Sequence, residues 1–139
     1  MSPAEGIQAI LKARASFLGP QKWGLRVSDL GTADNVVAVI DSGGRGAEVG
    51  VGINYPSVQV LGRGDASALS YPTLYRVMEE VFNLLQAVPT PEPLYPELTS
   101  CMVVGGITPM GRDDSKRPLM SLNFQLITTP ADPGYREQN

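Results

Sequence analysis

Hydrophobic and polar positions along the chain change period several times, and each change marks an element. Ser2-Pro3-Ala4-Glu5 has the makings of a helix start: a capping hydroxyl, a proline at the first helical position and a glutamate three residues after the cap. Ile7, Ile10, Leu11, Ala15, Phe17 and Leu18 then follow at helical spacing, and Gly19-Pro20 supplies a stop. Residues 21–34 show no clear period and read as irregular or weakly extended, with Trp23 as a packing anchor or a short interface element. Asn35 to Asp41 (NVVAVID) is a continuous β-branched run, as in a buried strand. A glycine-rich stretch, SGGRGAEVGVGIN, leads to Tyr55-Pro56-Ser57 and the alternating strand Val58-Gln59-Val60-Leu61. From about Tyr71, with Pro72 in the first turn, apolar residues at 74, 77, 78, 81, 84, 85 and 88 trace one wide helical stripe. Arg76 and Glu80 are spaced for an i,i+4 pair on its outer side.

Pro89-Thr90-Pro91-Glu92-Pro93 ends that helix and reads as a stiff spacer. Leu98 to Val104 predicts a third strand, broken or bulged at Gly105-Gly106. Residues 109–118 read as a polar turn of both charge signs. Leu119 to Thr128 predicts a fourth strand with Leu122, Phe124 and Leu126 on one side and Ser121, Asn123 and Gln125 on the other. The expected fold class is α/β in the α+β sense: a small mixed or antiparallel sheet of about four strands with two main helices on it. Residues 1–129 form the expected single domain, and residues 130–139 (PADPGYREQN) an aperiodic tail, frayed or ordered only by a partner.

Composition narrows the chemistry. The 139-residue chain can bury a working core without disulfides or a structural metal. A net charge of −3 gives no basic footprint for nucleic acid and no polybasic membrane patch. With no histidine, imidazole catalysis and histidine metal ligation are excluded. The single cysteine, Cys101, lies in an apolar run, as an inert buried thiol would, and suits a reducing compartment. The first residues have no basic and apolar leader pattern, and no apolar run approaches the roughly 18 residues of a membrane span.

Motifs that could carry chemistry are weak. Gly44-Arg45-Gly46 follows a strand but lacks the third glycine and the helix of a dinucleotide site, so a loop or hairpin tip is the better reading. Arg63-Gly64-Asp65 matches a cell-adhesion tripeptide, which three residues alone do not establish. Asp113 and Asp114 stand beside Arg112, Lys116 and Arg117, a charge-balanced tip without calcium-loop spacing. Ser115-Lys116 are neighbours and not a Ser-x-x-Lys turn. No catalytic residue, metal or cofactor is expected.

The order helix, strand, strand, helix, strand, strand, with VVAVIDSGG, YPSVQVLGRG, the amphipathic helix and GRDDSKRPLMSLNFQL, resembles the tail terminator proteins of long-tailed bacteriophages, also called minor capsid or tail-completion proteins. The likeness spans roughly residues 5–128. It implies a homo-oligomeric ring, commonly a hexamer, that sits on the last ring of the tail tube protein, stops its polymerisation and offers a surface to the head connector. Such a subunit is a virion component at the tail–neck junction, assembled in the host cytoplasm, with no nucleic-acid sequence recognition and no membrane partner. Under this reading Arg63, Asp65, Arg112, Asp113, Asp114 and Arg117 are either contact residues or plain exposed loop charges. Another neck protein, or a small-molecule-binding domain using the glycine loop, are the alternatives.

Overall fold

The computed structural model describes residues 2–18, 23–45, 52–86, 88 and 91–129. It is a mixed α+β domain in which two helices cover one face of a five-stranded sheet. The strands are β1 (Gly24–Val27), β2 (Val36–Arg45), β3 (Tyr55–Arg63), β4 (Leu98–Arg112) and β5 (Pro118–Thr128), in the spatial order β1-β2-β3-β5-β4. The pair β1–β2 is parallel and the rest are antiparallel.

Helix α1 (Pro3–Arg14) starts as its capping signals predict. Glu5 N donates to Ser2 Oγ (3.2 Å), and Ser2 N donates back to Glu5 Oε1 (2.8 Å). Asp41 on β2 also accepts from Ala4 N, fixing the helix start to the sheet. The helix ends at Arg14, before the predicted stop at Gly19-Pro20, which lies outside the described residues. Its termination is a tertiary effect. Glu80, on helix α2 (Ser70–Gln86), accepts from both Ser16 N and Ser16 Oγ and draws the chain into a 3-10 turn that buries Phe17. Glu80 therefore turns to Ser16 and not to Arg76, so the predicted pair on the outer side of α2 is replaced by a helix-to-helix tie.

Alternation along the strands defines the two faces of the sheet. Val37 and Val39 of β2, Val58 and Val60 of β3, and Leu122, Phe124 and Leu126 of β5 join Ile7, Ile10, Leu11, Leu74, Met78, Val81 and Leu85 in one core. Trp23 is buried in it as a packing anchor. Close approach constrains Gly6, where a Cβ would enter the ring of Tyr95, and Gly62, where one would meet Met78 Sδ at 2.7 Å. Gly62 thus marks the point where α2 lies directly on β3.

The sequence reading of about four strands missed β1, a four-residue strand in the stretch taken as irregular or weakly extended. GLRV is too short to show its period alone; pairing with β2 makes it a strand, with Gly24 opposite Val36 and Val27 opposite Val39. The connection between these parallel strands, residues 28–35, is only eight residues long, shorter than the dozen or more usual for a parallel crossover. Positive φ values at Ser28 (85°), Gly31 (61°) and Asn35 (53°) give it the necessary bends.

Two predicted turns are shorter than expected. β2 continues to Arg45 through a register shift between Asp41 and Gly44, then pairs with Tyr55 and Pro56. Residues 46–51 lie outside the described residues, but β2 and β3 are antiparallel neighbours, as a hairpin requires and a strand-to-helix nucleotide site does not. β4 does bulge at the predicted Gly105-Gly106, between Val104 and Thr108, yet pairing resumes and runs to Arg112. The charged turn is therefore only residues 113–117. The expected tail, residues 130–139, lies outside the described residues.

Candidate functional site

All six charged residues singled out from the sequence fall at one end of the sheet. Register places Arg63, the last residue of β3, opposite Val36 and Leu119, and Arg112 opposite Pro118. Asp65 follows β3, and Asp113, Asp114 and Arg117 lie in the β4–β5 turn. Their environments differ sharply.

Arg63 is not an exposed loop charge. Only 7% of it is exposed, and it points away from the helices, on the second face of the sheet. Its guanidinium donates to the carbonyls of Leu30, Gly31 and Ala33, so the crossover loop is drawn over that face. Burial, and then the neighbouring Arg117 cation, push its pKa below the usual arginine value. Arg117 holds the same loop from the other side. Its Nη1 donates to Thr32 O (2.9 Å) and Asp34 Oδ1 (3.1 Å), and its Nε to Asp113 Oδ2 (2.9 Å). The hydrogen bond to Asp34 is the main reason its pKa is raised. Two arginines distant in sequence thus clamp residues 30–34, while Arg26 and Asp29 pair at the loop's start.

Asp113 builds its own turn. Its Oδ1 accepts from Ser115 N and Arg117 N, and these bonds, with the Arg117 side chain, hold its carboxyl below the usual range. Arg112 closes the turn by donating to Lys116 O, where Lys116 takes a positive φ of 64°. Asp65 accepts from Ser67 N, and hydrogen bonds from Ser67 lower its pKa. Its backbone N–H donates to Ser70 Oγ at the start of α2. Asp114 is exposed at the tip.

Several residues of consequence were not singled out from the sequence. Glu92 is wholly buried and accepts a two-pronged pair from Arg14, at 2.6 and 2.8 Å. Nothing local in the Pro-rich segment signals that partner, 78 residues away. The Asp29-x-Gly31 turn, in which Gly31 N donates to Asp29 Oδ1, was a legible signal within the stretch read as irregular. Met102, Val104 and Met110 are large apolar side chains left exposed on β4.

The described charged side chains at this end hold backbone groups and one another. Among the described residues no three His, Cys, Asp or Glu side chains gather to hold a metal ion. Ser16 donates to Glu80, but the same carboxylate also takes Ser16 N, which makes it a helix tie and not a general base. Burial pushes the Cys101 thiol up to about 12, far from a reactive thiolate. Among the described residues no helix is long and apolar enough to cross a membrane.

The family model described as "Bacteriophage tail terminator protein" matches residues 21–130. The chain belongs to the bacteriophage tail terminator family. No curated protein matches it. The match takes in all five strands and α2, and every charged residue at the loop end of the sheet. It begins after α1, so the likeness read from residue 5 onward is confirmed only from residue 21. Membership makes this terminator chain a structural component of a phage tail and of the virion. A structural family accounts for a loop end in which charged side chains hold backbone carbonyls.

Proposed function

We propose that this chain forms a ring that caps the tail tube at the tail–neck junction, stops tube polymerisation and presents the docking surface for the head connector. The observation that carries the reading is the family match over residues 21–130, which contains the whole sheet and the clamped loop end. A terminator must accept a tube subunit on one side and refuse the next one on the other, and it does so better with a preformed surface than with mobile loops. The arginine clamp supports this: residues 28–35 and 113–117 are held by side-chain bonds before any partner arrives. In this proposal Asp114 is a contact charge, Asp65 and Arg112 offer theirs while also bracing their own loops, and Arg63, Asp113 and Arg117 shape the loops. The proposed ring holds six copies and assembles in the host cytoplasm.

Particles made without the chain test the proposal. Tails of irregular, overextended length that fail to join heads are expected by electron microscopy. Tails of normal, uniform length joined to heads would remove the reading.

A further inference from the structure

The described part of the subunit carries two apolar surfaces on opposite sides, and each lacks what the other supplies. One lies on β4. Met102 and Val104 pair with Gln125 and Asn123, whose alternation puts them on the face away from the helices. Met110 follows Pro109, which pairs with the core residue Met120, so Met110 also points to that second face. These three side chains are 59%, 57% and 51% exposed. Arg63 and Arg117 hold the crossover loop at the end of the sheet nearest Met110, so Met102 and Val104 stand on the open part of this face.

The opposing surface is a cleft of about 290 Å³ on the helix side, where α2 meets the β4 bulge. Tyr75, Phe82 and Ile107 give it apolar and aromatic walls, and Glu79 and Asn83 stand at its polar positions. Gly106 keeps the β4 side open, since a Cβ there would meet nothing within 4 Å. A flexible, unbranched methionine fills an irregular cleft well, and its sulfur favours an aromatic ring at about 5 Å.

We propose that these two surfaces meet between copies of this chain: the Met102–Val104–Met110 stripe of one copy seats on the Tyr75–Phe82–Ile107 cleft of the next. The inference rests on the ring reading and names its contact. Two separate partners would each use one surface, whereas a second copy of this chain uses both at once. A closed ring needs two different, mutually complementary surfaces on each copy, because its interface is head-to-tail. A specific interface takes roughly 800 Å² from each partner. Three half-exposed side chains supply well under that area, so the contact also takes in the neighbouring amides Asn123 and Gln125 and the surface around the cleft, and is not a single plug.

Cross-linking in assembled tails tests the contact. In a Cys101→Ser background, Tyr75→Cys with Met102→Cys is treated with a short bis-maleimide, and Asn83→Cys with Val104→Cys serves as a second pair. All four positions are at the surface, so folding is preserved, and melting temperature checks this. A ladder of three or more linked copies of the 14.8 kDa chain is expected from each pair, and no linkage from any single variant. Dimers from Met102→Cys alone would show a two-fold contact and overturn the proposal. Pair variants that are present in tails yet remain at the mass of one chain would also overturn it, while leaving the tail role standing. If the unaltered chain is absent from tails altogether, the ring reading falls, and this inference with it.

Discussion

Replacing Arg63 by alanine should cost the isolated subunit about 3 kcal/mol of folding stability, since hydrogen bonds from a charged donor are each worth roughly 1.5–3 kcal/mol. Three carbonyls, those of Leu30, Gly31 and Ala33, lose their donor together. Partial hydration of the freed loop keeps the loss below the sum of the separate bonds. Arg63→Lys should recover less than half, because a single ammonium cannot reproduce the planar fork that reaches several carbonyls at once. Urea unfolding monitored by Trp23 fluorescence measures both, and Trp23 is well placed because it immediately precedes β1. The experiment separates two roles for the same residue. If Arg63→Ala melts like the parent but no longer enters tails, Arg63 is a contact residue and the clamp is refuted.

Arg14→Ala should cost about 2 kcal/mol at neutral pH, between the roughly 0–1 of an exposed pair and the 3–5 of a fully buried one, because Glu92 is buried while Arg14 is a third exposed. The cost arises at Glu92, whose carboxylate has no exposed surface and would keep only the backbone N–H of Leu94. The pH dependence gives the signature. In the parent, hydrogen bonds from Arg14 hold the Glu92 pKa below its ordinary 4.5. A depressed carboxyl pKa contributes stability that is present above the unfolded value and is lost as pH falls through the folded one. Without Arg14, desolvation dominates and raises that pKa, so the variant folds best with Glu92 protonated. The stability gap between parent and variant should therefore narrow as pH is lowered from 7 towards 4. A gap that stays constant over this range would mean that the pair does not carry the stability.

What could be read from the sequence was whatever local period and capping carry. The α2 stripe, the capping box at Ser2 and Glu5, and the inward row Leu122, Phe124 and Leu126 all appear where alternation and helical spacing place them. The losses share one cause: side chains acting on segments remote in sequence. α1 stops early because Glu80 reaches Ser16; β1 exists because β2 accepts it; the 28–35 loop is shaped by arginines that follow it by some thirty and eighty residues. The candidate charges were legible as loop residues; their gathering at one end of the sheet and their division of labour were not. Exposed Asp114 and buried Arg63 look alike in a string of letters. Burial separated them, and burial depends on which loop folds over which face.

The clamp also orders events in time. The ribosome releases residues 28–35 long before Arg117, the second of the two side chains that hold them. At the usual 5–20 residues per second, the interval is roughly 4–18 s. During that interval β1 has its partner strand in hand, but the connection between them is only half secured. A chain stalled before Arg117 should accordingly be cut by protease within residues 28–35, where the finished protein resists; equal resistance in both would show that Arg63 alone suffices. This small domain is thus sealed from its far end, and its first parallel strand pair is among the last parts to become permanent.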